Sequence, residues 1–178
     1  MVALNGIDFL SIVCDFLMEI YSKVTEHLPE LELELGISIS NRKLLIEAMT
    51  SEKTKKKHPD VFENDNQCLA FLGDSILNYI ASEYVYDKFS KKGDLTTARK
   101  KYIKNEHLEL LATKLDLIPF FWFEEGYHRN PPSDSWIRLM ATFLEAIIGA
   151  TYLDKGDIND SRIFIEKYII PNIDKTVP

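Results

Sequence analysis

Two acidic residues stand where an acid is costly. Asp74 lies within Cys68-Leu69-Ala70-Phe71-Leu72-Gly73-Asp74-Ser75-Ile76-Leu77, and Glu145 within Met140-Ala141-Thr142-Phe143-Leu144-Glu145-Ala146-Ile147-Ile148-Gly149-Ala150. Neither run contains a basic residue. A desolvated carboxylate must be paired, hydrogen-bonded or metal-bound. Gly73 and Gly149 each lie near one of these acids. Glycine costs a helix interior about 1 kcal/mol relative to alanine, so two of them point to helices in close approach. If the helices cross there, Asp74 and Glu145 can face one another. Two facing carboxylates suit a hard divalent cation, most simply Mg2+, with water completing its shell. The same residues also read as capped or hydrogen-bonded acids in ordinary helices, and their chemistry alone leaves both readings open.

Other site chemistries are excluded. His27, His58, His107 and His128 are scattered, and Cys14 and Cys68 lack a CxxC or HxxxH partner, so zinc has no ligand set. Glu125-Gly126-Tyr127-His128 spells ExxH, but it holds a glycine and runs into Asn130-Pro131-Pro132, which reads as a loop and not a ligand helix. No Ser/His/Asp order, P-loop or GxGxxG is present.

The elements that must position the two acids are helical. Leu10, Val13, Leu17, Ile20, Val24 and Leu28 recur at three- and four-residue steps, predicting an amphipathic helix over 7–27. Pro29 follows, and Glu30, Glu32 and Glu34 alternate with leucine in what reads as a connecting stretch. Asn41 is placed to cap a helix through Met49. Residues 51–66 read as a loop with room for one helical turn. A long apolar helix is predicted from Gln67 to Phe89, broken by Lys91-Lys92-Gly93. Asp94 then caps a helix to Thr113, Asp134 caps the helix from Trp136 to Leu153, and Asp157 to Ile170 is the last, stopped near Pro171. There is no strand pattern and no repeat. The expected fold is all-α.

The chain has 178 residues, 46% hydrophobic and 28% charged, with net charge -7. That length suits one domain with a real core, and the apolar fraction excludes a disordered chain. Charged residues interrupt the longest apolar stretches, so no membrane span is expected. The start, MVALNGIDFLSIVCDF, lacks a basic region and carries Asp8 and Asp15; it reads as a helix, not a signal peptide. Two cysteines in apolar helical contexts fit a reducing, intracellular compartment, cytoplasm or nucleus. Against the acidic background stand two basic islands. One is Lys53, Lys55, Lys56 and Lys57; the other, over 91–105, holds Lys91, Lys92, Arg99, Lys100, Lys101 and Lys104. Each reads either as a solvated face or as a phosphate-binding surface.

Four stretches resemble one family. Asn64 to Leu77 resembles the signature of the ribonuclease III family, whose acidic helix reads roughly N-x-x-L-E-F-L-G-D-S/A-x-L. Ala141 to Asp154 resembles its second acidic helix, A-D-x-x-E-A-L-I-G-A-x-Y-L-D. Leu44 to Thr50 resembles its L-L-x-x-A-L-T-H segment, and Leu95 to Asn105 the stretch between the acidic helices that touches RNA. The four stand in order over about 40–172. This divides the chain into an N-terminal helical extension, 1–36, and an endonuclease-like domain, 37–178.

The resemblance implies a Mg2+-dependent endoribonuclease acting on double-stranded RNA as a homodimer, with Mn2+ able to substitute. It implies Asp74 and Glu145 as the catalytic, metal-binding carboxylates and Phe71 as the aromatic that plugs the partner subunit. Arg99, Lys100, Lys101 and Asn105 match the RNA-facing segment. Arg138 sits four residues before Thr142, where several eukaryotic members have a lysine near the scissile phosphate. A single nuclease domain without a C-terminal double-stranded RNA-binding domain is expected, so RNA affinity is expected from the nuclease domain, or from the length of the RNA and several bound dimers. Ala70 stands where the pattern has a metal-binding Glu, Thr142 where it has a metal-binding Asp, and Gln67 replaces another Glu. Short members of the Mini-III type resemble this chain at positions 70 and 142 and still cleave. An active enzyme is therefore the first expectation. A catalytically inactive RNA-binding or ribonucleoprotein scaffold of the same fold is the alternative.

Overall fold

The computed structural model describes residues 26, 29–123 and 132–171. Among them the chain is all-α, with no strand, and an isolated bridge joins Thr50 and Trp122. A helical stretch over 29–35 is α1. Then come α2 (Arg42–Met49), α3 (Glu52–Lys57), α4 (Gln67–Tyr86), α5 (Lys92–Tyr102), α6 (Asn105–Lys114), α7 (Asp134–Lys155) and α8 (Ile158–Phe164).

The centre of the fold is α7. Its residues Trp136, Met140, Phe143, Leu144, Ile147, Ile148 and Thr151 are all buried, on more than one face. A helix apolar all round is a core helix, and α2, α4, α6 and α8 pack against it. By length and composition α7 could cross a membrane, unlike the interrupted runs expected from the sequence, yet 67% of its apolar stretch is buried inside the fold. Ser133 caps it, its Oγ accepting from the Trp136 N–H at 3.2 Å, and Gly156 ends it in the left-handed region at φ 67°. The cap is therefore one residue earlier than the expected Asp134, which instead lies in the first turn, where its charge complements the helix dipole.

The crossing of α4 and α7 is closer than side chains permit. A Cβ built on Gly73 would lie 1.7 Å from the Glu145 carbonyl oxygen, and one on Gly149 2.2 Å from that of Leu69. The two backbones touch through these glycines, as their cost in helix propensity suggested.

Several elements differ from expectation. The stretch after Pro29 is helix, because Leu31 and Leu35, four apart, are both buried while Leu33 between them is 80% exposed. The alternation with glutamate disguised a period of four. The single helix expected from Asp94 is two, α5 and α6, parted at Ile103 and Lys104, and Asp94 lies inside the first turn of α5. Helix α4 ends at Tyr86. The last helix runs from its Asp157 cap through α8 into a π-turn at Ile165–Ile169. Cys68 lies on α4 but is exposed. The helix predicted over 7–27 lies outside the described residues apart from Glu26, as do Cys14 and the ExxH stretch at 125–128.

A carboxylate ties the end of α7 to the start of α2. Asp154 accepts from the Ser40 N–H at 2.9 Å and the Asn41 N–H at 2.7 Å, and lies 3.2 Å from Lys155. Burial opposes its charge, but these donors outweigh that and hold the carboxyl below its ordinary value. Its stabilising contribution is thus present above the usual aspartate range and is lost as pH falls through the depressed value. Asp154→Ala is expected to cost about 2 kcal/mol in urea unfolding at pH 7, with the gap to wild type closing at acidic pH. An unchanged gap down to pH 2 would show that the carboxylate charge does not make this link.

Candidate active site

Asp74 and Glu145 meet across the glycine crossing. Both are half-buried, Asp74 on α4 and Glu145 on α7. Burial first, and the Asp74 charge second, push the Glu145 carboxyl up to about 8. The pair therefore resists carrying two negative charges unless a cation lies with it. Its donor set is all oxygen, without thiolate or imidazole, which fits a hard divalent ion. Among the described residues no third acid, histidine or cysteine joins a metal-binding cluster. The two departures from the acidic pattern are occupied by groups with other uses. Ala70 is buried, and the Thr142 hydroxyl donates to the Arg138 carbonyl of its own helix at 2.8 Å.

Asp74 is held from its own helix. Asn78 Nδ2 donates to Asp74 Oδ1 at 2.8 Å and to the Asp74 carbonyl at 2.9 Å. Ser82 Oγ donates to the Asn78 carbonyl at 2.6 Å, and Arg99 Nη1 donates to Ser82 Oγ at 3.2 Å. The sequence reading missed Asn78 and Ser82. Their signal was present as a polar stripe, 74–78–82, at four-residue steps through an apolar helix.

The start of α4 is fixed by the chain around Thr50. The Asn66 N–H donates to the Thr50 carbonyl at 2.9 Å, and Met49 and Ser51 exchange backbone bonds with Trp122 at 2.8 and 2.9 Å. Phe62 and Trp122 pack ring to ring with centroids 4.9 Å apart.

The expected RNA-facing residues are placed unequally. Lys100 is exposed on α5, Lys101 is half-buried and its carbonyl takes the His107 ring, and Asn105 is half-buried at the start of α6. Arg138 is exposed near the start of α7. Arg99 is turned back onto Ser82 with its Nε buried, so at least one of its nitrogens straps α5 to α4. The first basic island has a structural account too. Lys55, Lys56 and Lys57 form the last turn of α3, favourable to its dipole, and Lys56 pairs with Glu52 one turn earlier. Phe71 is 79% exposed on α4, with Tyr79 and Tyr86 exposed further along the same helix.

Residues 67–156, which include both acids, match the family described as Ribonuclease III domain. Ribonuclease 3 of Chloroflexus aggregans is 33% identical over 150 residues, covering 82% of this chain and 65% of that protein. Ribonuclease 3 of Geobacillus thermodenitrificans is 33% identical over 162 residues, covering 88% and 63%. The chain thus spans less than two thirds of the length of these curated relatives. Two solved nuclease domains of ribonuclease III from Campylobacter jejuni are similar in fold, both at 28% identity. One, described for flexibility in a region involved in dimer formation, has a TM-score of 0.67 and covers 80% of this chain and 95% of that one. The other has a TM-score of 0.64 and covers 85% and 96%.

Proposed function

Because this chain belongs to the ribonuclease III family, we propose that it is an endonuclease that hydrolyses double-stranded RNA with a divalent cation held by Asp74 and Glu145, Mg2+ first and Mn2+ in its place. The observation that carries this reading is the meeting of two carboxylates across a glycine crossing, where the fold brings their charges together against burial. When bound, such a cation supplies positive charge at the scissile phosphate and an acidified water as nucleophile. Asp74 and Glu145 hold it, and with only two protein carboxylates they hold it weakly until an RNA phosphate adds its oxygens. The α4–α7 crossing sets the distance between the two acids. Cleavage of long duplex RNA in Mg2+, and none in EDTA, is the expected result; no cutting at any Mg2+ or Mn2+ level would favour the inactive scaffold to which Ala70 and Thr142 point.

Lys100 and Lys101 on α5, with Asn105 and Arg138, are the phosphate-facing residues in this reading, while Arg99 serves the α4–α5 contact as well. A-form RNA hides base edges in a narrow major groove, so binding reads shape, phosphates and 2′-hydroxyls. Lys100→Ala with Lys101→Ala is expected to weaken duplex binding and to shallow its log–log salt dependence by about one unit per lost contact. A slope equal to wild type would remove these lysines from the interface.

The domain works as a homodimer in this reading, with the exposed Phe71 face of α4 against a second copy. An isologous interface needs one self-complementary apolar patch, and Phe71 is too apolar and too exposed to stand in water without cause. Light scattering at micromolar concentration is expected to give a dimer for wild type and a monomer for Phe71→Asp. A monomeric wild type would refute the assignment. The reading also places the protein inside the cell, where its RNA substrate is.

A further inference from the structure

We infer that Asn78 is a positioning residue that holds the Asp74 carboxylate in the orientation needed to receive a cation; the inference rests on the metal-site reading above. Both hydrogens of one carboxamide nitrogen are available, and Asn78 Nδ2 reaches two oxygens of the same residue, Asp74 Oδ1 at 2.8 Å and the Asp74 carbonyl at 2.9 Å. That double grip restricts rotation of the Asp74 side chain. It uses one site on Oδ1 and makes no use of Oδ2. One turn earlier on the same stripe stands Ala70, whose methyl group has no donor to offer. On α4 the hold on Asp74 therefore comes from the C-terminal side.

Asn78 is itself anchored. Ser82 donates to its carbonyl, and Arg99 of α5 donates to Ser82, so the ladder ends on the neighbouring helix. As a surface pair at i and i+4, the Asn78–Asp74 contact would add little to helix stability. As the partner of a cation ligand its effect is larger. Groups that orient metal ligands typically change metal affinity by about 10–100-fold when removed. The two roles therefore separate by measurement.

The experiment uses the whole chain and two readouts. One is Mn2+ binding without RNA, followed by the electron paramagnetic resonance of free Mn2+. The other is the Mg2+ concentration giving half-maximal cleavage of duplex RNA. Asn78→Leu keeps the side-chain bulk and loses the donor; Asn78→Ala serves if the leucine variant does not fold. The expected result is at least about tenfold weaker Mn2+ binding and a matching rise in the Mg2+ requirement, with unchanged melting temperature in EDTA and unchanged duplex affinity. Cation affinity equal to wild type in both readouts, while Asp74→Asn loses it, overturns the role of Asn78 alone. A wild type that binds no Mn2+ and cuts at no Mg2+ level, or an Asp74→Asn that behaves as wild type, overturns the metal site and this inference with it.

Discussion

Gly149→Ala and Gly73→Ala are each expected to destroy the native fold, at a cost of about 4 kcal/mol or more. Two effects of opposite sign compete. Replacing glycine by alanine within a helix normally gains about 1 kcal/mol in backbone entropy. Here the new methyl would sit 2.2 Å from the Leu69 carbonyl oxygen for Gly149, or 1.7 Å from that of Glu145 for Gly73. The obstacles are backbone atoms of the two central helices, which cannot swing aside as a side chain can. Overpacking by one methylene in a yielding core costs about 1–3 kcal/mol. Here α4 must move off α7 along its length, opening the packing of Leu69, Leu77, Leu144 and Ile148, so the loss exceeds that range. Gly93→Ala is the control. Its methyl meets nothing within 4 Å, and α5 is expected to keep or gain stability. Urea unfolding of the three variants decides the point. Gly73→Ala with wild-type stability would show that the helices do not cross backbone to backbone.

Asp74→Asn is expected to abolish cleavage of duplex RNA, at least about a thousandfold, while the fold and duplex binding survive. Asparagine keeps the size of the side chain and can still meet Asn78, but it brings no charge to a cation. Of the two protein carboxylates in the site, one would remain, and that one resists ionisation. Burial is the first cause of the raised Glu145 value and persists in the variant; only the second cause, the Asp74 charge, is removed. Glu145 falls part of the way from about 8 and gains nothing that replaces the missing ligand. RNA affinity measured in EDTA is expected to match wild type, because phosphate contacts on α5 do not pass through Asp74. Cleavage by Asp74→Asn at the wild-type rate would put the metal site elsewhere. Unfolding of the variant would show that Asp74 is structural, a result for which the half-exposed position and the retained amide leave little room.

The all-α class, the order of the main helices, the two acids and the glycines beside them were legible from residues 41 onward. Periodicity announces a helix wherever one face is buried, and the cap at Asn41 is local chemistry. Where partners far along the chain decide, the reading failed. Leu31, Leu33 and Leu35 alternate with glutamate, and only burial against the core shows that the first and last share a face. The break between α5 and α6 carries no proline or glycine, so nothing local marks it. Arg99 looked like its neighbours Lys100 and Lys101 until α5 was laid on α4 and its guanidinium reached Ser82.

What the sequence determined by itself is the presence of two carboxylates in apolar helices, each beside a glycine, because desolvation cost and helix propensity are properties of a residue and its near neighbours. What only the tertiary structure decided is that the glycines lie against backbone and that Glu145 is driven up to about 8 beside Asp74. Those facts depend on the crossing of helices whose residues lie about seventy positions apart in the chain. Electrostatic coupling and close packing act across that gap through space, and no local pattern records the distance.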